Sequence, residues 1–143
     1  MSFGAAAART PDDRFARVGG DRPCPCGSGD PFDGCCRPLL RGAPAPSAER
    51  LMRSRYTAFV VGDAAYLVGT WHPRTRPDEL DLDPAQRWTR LEIVATEAGG
   101  PGDLRGVVEF RAHWSHGRER GVLHERSRFA RGSGRWWYVD GDV

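Results

Sequence analysis

Residues 24–36 read CPCGSGDPFDGCC, and this stretch holds all four cysteines of the 143-residue chain. Free structural thiols are not favoured, because a loop so rich in Gly and polar residues offers no apolar core in which to bury them. A disulfide is not favoured either, because one between adjacent cysteines would be strained. Thiolate sulfur suits zinc, and four thiolates form a closed tetrahedral shell with no open position for a substrate. We therefore expect a structural zinc site, although sulfur sites of this geometry also accept iron. Its predicted ligands are Cys24, Cys26, Cys35 and Cys36.

The residues around the cysteines suit such a site. Pro25 fixes one dihedral of the turn between the first two ligands. The segment 27–29, Gly-Ser-Gly, frees the backbone to direct N–H groups at the sulfurs. Because four thiolates leave excess negative charge on a divalent ion, we expect nearby arginines to offset it. The candidates by sequence proximity are Arg22, Arg37 and Arg41.

The composition along the chain predicts its division into segments. Residues 1–22 contain few large apolar groups and are expected to form a disordered leader. Residues 23–38 form the predicted knuckle, and the proline-containing stretch 38–46 reads as a linker. A folded domain is expected over residues 47–143.

Helical signals dominate the first part of this domain. Ser47 is a good N-cap, apolar residues then recur at helical spacing, and Gly62 is placed to end the helix. A second helix is predicted to begin after Asp63 and to stop at Pro73. The pair Asp83–Pro84 predicts a short third helix through about Trp88, because proline suits the first helical position.

The period changes to two from Leu91 onward, which favours strands. Alternation over 91–95, 108–114, 122–130 and 136–140, with turns at 115–118 and 132–134, predicts a four-stranded antiparallel meander. Helices followed by such strands indicate an α+β fold, with the helices packed on one face of a curved sheet.

Charge and hydropathy restrict the classes of function. All 21 basic residues are Arg, but acidic residues are interspersed and the net charge is only +2. Nucleic-acid binding is therefore not favoured, because it requires a block or stripe of basic residues. No apolar run approaches the roughly 20 residues of a membrane span, and the N-terminus does not read as a signal peptide. These features predict a cytoplasmic protein, in which thiols stay reduced and available to metal.

Two resemblances sharpen this interpretation. The cysteine stretch resembles the SEC-C motif, a metal-binding module found at the end of the SecA translocation motor and in other bacterial proteins. LMRSRYTAFVVGDAAYLVGTWHP (51–73), HERSRF (124–129) and WWYVDGD (136–142) resemble the YchJ family. Members of that family combine an N-terminal SEC-C knuckle with a nuclear-transport-factor-2-like domain, a cone of curved sheet around helices. The resemblance also implies that a homodimer can form through the open sheet face.

The resemblance implies a pocket inside the cone, which relatives use for catalysis or for binding. Polar residues near this pocket are therefore candidates for either role. His72 either serves as a general base or caps a helix C-terminus. Glu109 and His113 share one strand face, and Glu125 on the next strand is expected to project into the same region. These three groups either move protons or form cross-strand ion pairs. Further candidates for pocket or structural roles are Arg53, Arg55, Tyr66, Trp71 and Asp140. Arg55 is expected to turn inward and pair with Glu125 or Asp140.

The leading hypothesis is a metal-stabilised binding or adaptor protein that is not an enzyme. It would contact a protein partner through the knuckle, with secretion-associated or ribosome-associated proteins as the implied class. The alternative is an isomerase, dehydratase or cyclase that uses the cone pocket, which requires an open cavity where the candidate acids and bases converge.

Overall fold

A computed structural model of the protein describes residues 14–143. Within these residues, three helices and four strands follow a 3₁₀ turn at Phe32–Gly34. The helices are α1 (Cys36–Leu40), α2 (Ala48–Val61) and α3 (Ala64–Gly69). The strands are β1 (Gln86–Ala98), β2 (Arg105–His116), β3 (Glu119–Gly132) and β4 (Arg135–Asp142). This order confirms the predicted α+β architecture, with helices first and an antiparallel meander after them.

Helix α2 has the predicted ends. The hydroxyl of Ser47 accepts a hydrogen bond from the backbone N–H of Arg50 at 3.1 Å, which satisfies one free donor of the first turn. Gly62 ends the helix with a φ of 77°, a left-handed conformation that favours glycine. Asp63 then caps α3 by accepting from the backbone N–H of Tyr66 at 3.0 Å.

The sheet is a curved meander in which each strand pairs with its sequence neighbour, in the order β1-β2-β3-β4. Pairing of β1 with β2 is interrupted between Trp88 and Arg90 and again between Ile93 and Ala95. A third irregularity lies between Arg128 and Phe129 where β3 meets β4. Such bulges bend a strand and increase its twist, so they account for the curvature that makes a concave face.

Helix α2 lies on the concave face of the sheet and forms the core with it. Burial on this face follows the alternation of β2, where Val108, Phe110 and Ala112 are buried between outward polar residues. From the helix, Leu51, Met52 and Tyr56 belong to the same apolar cluster. The four cysteines belong to that cluster as well. The knuckle is therefore continuous with the core of the domain.

Two segments differ from the predicted boundaries of leader and linker. Phe15 is buried, and its ring lies against Gly62 at the end of α2. Residues 14–22 are therefore not a disordered leader throughout, because an aromatic anchor was missed; residues 1–13 lie outside the described residues. Helix α1 occupies Cys36–Leu40, so part of the expected linker 38–46 is helical. Leu39 gives the reason, since it is buried on one side of this helix.

Two predicted helical stretches were wrong. Asp83 accepts from the backbone N–H of Ala85 at 2.8 Å, which makes a turn, and strand β1 begins directly at Gln86. Asp83 therefore caps a turn rather than a third helix. Helix α3 ends at Gly69 instead of near Pro73. The reason is that Trp71 forms a parallel bridge with Tyr138, which pulls this segment into register with β4.

Among the helices of residues 14–143, none is long and apolar enough to cross a membrane.

The contact between Phe15 and Gly62 can be tested with two Gly→Ala substitutions. A Cβ at Gly62 would lie 2.5 Å from the Phe15 ring, whereas a Cβ at Gly102 meets nothing within 4 Å. Both glycines have positive φ, so each substitution should cost about 1–2 kcal/mol of left-handed strain. We expect Gly62→Ala to lower the free energy of unfolding by about 1–3 kcal/mol more than Gly102→Ala, measured by urea denaturation. Equal losses would contradict the packing of Phe15.

Candidate metal centre and the adjoining cavity

The four cysteine sulfurs converge at one point. Their Sγ atoms all lie within 4.8 Å of one another, and none of the four residues is more than 3% exposed. The Sγ of Cys35 lies 3.6 Å from that of Cys26 and 4.0 Å from that of Cys36. A tetrahedral shell with metal–sulfur bonds of about 2.3 Å has sulfur–sulfur edges of about 3.8 Å. The donor set and its spacing therefore fit a tetrahedral metal ion.

Short backbone hydrogen bonds fold the knuckle around this point. The N–H of Gly27 donates to the carbonyl of Cys24 at 3.1 Å, which closes the tight turn between the first two ligands. The N–H of Cys24 donates to the carbonyl of Asp30 at 2.9 Å, and Pro23 and Pro31 form an isolated bridge beside it. The hydroxyl of Ser28 lies 3.1 Å from the sulfur of Cys35. These bonds hold the sulfurs in place where the knuckle meets the core.

Helix α2 supplies the side chains that join the knuckle to the domain. Arg50 donates to the carbonyl of Cys35 at 2.8 Å, and Arg53 donates to the carbonyl of Cys26 at 2.7 Å. These arginines are one helical turn apart and so share a face. The hydroxyl of Thr57, one further turn along, lies 3.8 Å from the sulfur of Cys24. The Thr57 hydroxyl also hydrogen-bonds the side chain of Cys36, so the helix contacts all four ligand residues.

The arginines that contact the site are not those expected from sequence proximity. Arg37 instead donates to Asp33 at 2.6 Å and lies over the Phe32 ring, 4.9 Å from its centre. Sequence reasoning did not identify Arg50 as a contact of the cysteine site. Its spacing could have done so, because Arg50 precedes Arg53 by three residues and therefore shares its face of the helix.

The packed thiols strongly perturb one another. Hydrogen bonds from the side chains of Cys24 and Cys36, with smaller contributions from Ser28, hold the pKa of Cys26 far below its usual range. The same contacts with Cys24 and Cys26, together with burial, raise the pKa of Cys36. Four thiolates crowded in this way cannot ionise together without a cation, because like charges oppose each other at such distances. A bound metal ion would remove that conflict.

A cavity of about 220 Å³ lies on the other side of α2, between the helix and the concave sheet face. Aromatic residues dominate its walls, including Phe59, Trp71 and Tyr138. Arg55 also lines it and is only 4% exposed. Arg55 turns inward as expected but forms no ion pair with Glu125 or Asp140. Its Nη1 donates to the carbonyl of Leu67 and to the Thr70 hydroxyl, both at 2.7 Å.

Glu125 is the one predicted acid–base candidate that lines this cavity. Its Oε2 accepts from the Ser127 hydroxyl at 2.6 Å and from the Tyr138 hydroxyl at 3.2 Å. A Cβ at Gly141 would collide with the carboxylate, so glycine there provides its space. The sequence indicated this orientation, because Glu125 is separated from Leu123 and Phe129 by an even number of residues. All three therefore lie on the inward face of β3.

The other acid–base candidates do not converge with Glu125. Glu109 accepts from His124 at 2.6 Å and His113 pairs with Glu92 at 2.6 Å, both on the outer face of the sheet. These contacts lower the pKa of Glu109 and of Glu92, in each case chiefly through the histidine hydrogen bond. The expectation that Glu125 projects into the same region was wrong. The register sets Glu125 opposite Phe110, whereas Glu109 is opposite Arg126, so the two carboxylates lie on different faces of the sheet.

The remaining candidates serve mainly to hold elements together. Tyr66 shares a hydrogen bond of 2.7 Å with Ser54, which joins α3 to α2. The backbone N–H of His72 donates to the carbonyl of Tyr138 at 2.7 Å, and its ring Nδ1 accepts from the N–H of Arg74. Asp140 accepts from Arg128 at 2.6 Å on the exposed side of the sheet. Trp71 alone of this group lines the cavity.

Comparison with known proteins agrees with this architecture. Residues 47–141 match the family model described as the YchJ middle NTF2-like domain. A UPF0225 protein from Streptomyces coelicolor is 55% identical over 121 residues, which cover 84% of this chain and 94% of that protein. The chain belongs to the YchJ family. A UPF0225 protein from Corynebacterium efficiens is 49% identical, with 86% of this chain and 95% of that protein covered.

Two solved structures resemble this YchJ-family chain over most of its length. The solution structure of a SEC-C motif containing protein from Rhodopseudomonas palustris superposes with a TM-score of 0.73 at 36% identity. The superposition covers 85% of this chain and 98% of the Rhodopseudomonas palustris protein. The crystal structure of another such protein, from Psychrobacter arcticus, gives a TM-score of 0.69 at 26% identity, with coverages of 85% and 82%. The resemblance to the SEC-C motif inferred from the cysteine spacing is thereby confirmed.

The sulfur geometry predicts one metal ion per chain. Elemental analysis of the purified YchJ-family protein should find about one equivalent, and Cys26→Ser should lose it because a ligand is removed. Retention should weaken as pH falls, since protons compete with the metal for thiolates. Ser115→Ala is the matched control, because it removes a hydroxyl on β2 rather than one in the knuckle. Full metal content in Cys26→Ser would contradict the assignment.

The contacts of α2 with the knuckle predict a kinetic effect. Arg50→Met removes the hydrogen bond to the carbonyl of Cys35 without removing a ligand. We expect it to keep the metal but to release it to a chelator several-fold faster, because hydrogen bonds to the ligand residues hold their sulfurs in place. Release can be followed with a coloured chelator. Arg41→Met is the control, since Arg41 is exposed at the end of α1, and an equal rate in both variants would contradict the role of Arg50.

Proposed function

We propose that the protein is a zinc-stabilised adaptor in which the metal is structural and the knuckle presents a surface to a protein partner. The observation that carries this proposal is the closed, buried set of four cysteine ligands packed on α2. Four protein thiolates fill a tetrahedral zinc shell, so no position remains for a substrate or an activated water. Zinc fits this role because it accepts tetrahedral sulfur without redox chemistry.

The outer edge of the knuckle supports the partner-binding part of the proposal. Residues 27–31 are exposed, while the cysteines on both sides of them are buried. We call this stretch the knuckle rim. Metal binding fixes its backbone, so a partner would meet an ordered surface and would not have to bear the entropy of ordering it. Secretion-associated or ribosome-associated proteins are the partner class that we propose, by analogy with the occurrence of the SEC-C module.

The thiol chemistry also supports a location. Four unpaired cysteines must stay reduced to bind a metal ion, and the bacterial cytosol keeps thiols in that state. We therefore propose that the protein works in the cytoplasm.

Partner capture in cells tests the proposal. Asp30→Arg reverses a charge on the knuckle rim and leaves the ligands intact, whereas Cys35→Ser removes a ligand. After crosslinking and mass spectrometry, we expect a partner that wild type recovers to be lost with both variants. Arg120→Ala, at the start of β3 beside the turn from β2, is the control and should retain it.

Two outcomes would count against the proposal. Recovery of the same partners by Cys35→Ser and wild type would remove the basis for a knuckle-dependent adaptor. Iron rather than zinc in protein purified without added metal would overturn the assignment of the ion. Circular dichroism of Asp30→Arg separates loss of the surface from loss of the fold.

A further inference from the structure

The buried guanidinium of Arg55 lies in the cavity on the sheet side of α2 without a salt-bridge partner among the described residues. Only its Nη1 donates hydrogen bonds, to Leu67 and Thr70, and within residues 14–143 its Nε and Nη2 have no hydrogen-bond partner. No carboxylate oxygen of the described residues lies within 4.0 Å of it. A buried cation is normally paired, because its desolvation is otherwise costly. Burial accordingly lowers the pKa of Arg55 to about 10.

Aromatic rings hold this cation in a fixed position. Its Cζ lies 4.5 Å from the centre of the Tyr138 ring and 5.2 Å from that of Trp71. The two rings are themselves in edge contact, with centres 5.0 Å apart. Cation–π contacts stabilise a guanidinium partially, but they do not satisfy its N–H donors. The buried indole N–H of Trp71 also lacks a hydrogen-bond partner among the described residues. The unused donors thus belong to side chains that line the cavity.

A carboxylate of opposite charge lines the same space. The Tyr138 ring that lies against Arg55 carries the hydroxyl that donates to Oε2 of Glu125. In the described part of the chain, Oε1 of Glu125 accepts no hydrogen bond. The walls between these two charged groups are apolar, with Met52, Phe59 and Leu123 among them. The cavity therefore offers one positive and one negative group in apolar surroundings.

We propose that this cavity binds a small zwitterion with an apolar body, such as an amino acid, whose carboxylate meets Arg55 and whose ammonium meets Glu125. A ligand with both charges fills both sites and adds no net charge to a desolvated space, unlike a simple acid or amine. The cavity of about 220 Å³ suits a ligand of this size, since it equals the liquid volume of about seven waters. The proposal does not depend on the function of the knuckle.

Four probes of nearly equal size test the charge requirement on the intact, metal-loaded chain. Leucine and ε-aminocaproate are isomeric zwitterions with adjacent and separated charges, while caproate and hexylamine each lack one charge. Binding is measured by calorimetry and by chemical shifts of the indole N–H groups. We expect at least one zwitterion to bind about tenfold or more tightly than both single-charge probes, because each matched charge contributes a charged hydrogen bond. Equal binding of caproate, or binding by none of the four, overturns the proposal.

Variants then assign the two charges. Glu125→Gln should remove the preference for the zwitterion over caproate, and Arg55→Met should abolish binding of caproate and zwitterion alike. Arg126→Gln changes a neighbouring residue that pairs with Glu97 on the outer face, so it should bind as wild type does. If Arg55→Met fails to fold, the Glu125→Gln result and the probe series still decide the matter. Unchanged zwitterion preference in Glu125→Gln contradicts the proposal.

Discussion

The packing of α2 between the cysteine cluster and the concave sheet is the constraint on which the rest of the structure depends. A surface helix ordinarily buries one face, but this one is covered on two sides. That arrangement explains why Ser54, Arg55 and Thr57 are buried although they are polar. Each has a partner that the arrangement provides: Ser54 bonds Tyr66, Arg55 bonds the end of α3, and Thr57 lies beside a cysteine sulfur.

The two faces of α2 carry different chemistry at positions close in sequence. Arg53 reaches the knuckle carbonyl of Cys26, while Arg55, two residues later, points to the opposite side and enters the cavity. An angular step of about 100° per residue separates such neighbours by roughly half a turn. The helix therefore uses similar side chains to hold the cysteine-containing loop on one side and to place a charge in an apolar cavity on the other.

Features with a strong local cause could be predicted from the sequence. The caps at Ser47 and Gly62, the meander and the cysteine cluster each follow from nearby residues. Features decided by tertiary contact could not. Trp71 leaves its helix because it pairs with Tyr138, and Phe15 is ordered because Gly62 leaves room for its ring. Both depend on segments distant in sequence, which periodicity cannot bring together.

The candidate residues show the same division. Alternation correctly placed Glu109 and His113 on one strand face, but it does not say where the facing residues of the next strand lie. That depends on the register, which sets Glu109 opposite Arg126 and Phe110 opposite Glu125. The outer face of the sheet therefore carries ion pairs, whereas on the inner face Glu125 lies among aromatic residues.

The sharing of α2 by both sites has a thermodynamic consequence. Events that stabilise one position of this helix favour whatever else binds to that position, because coupling free energies between sites are reciprocal. If a metal ion holds α2 where Arg55 faces the cavity, a molecule in the cavity would strengthen metal retention by the same factor by which the metal strengthens its binding. The knuckle and the cone would then behave as one linked equilibrium, in which metal supply sets ligand occupancy.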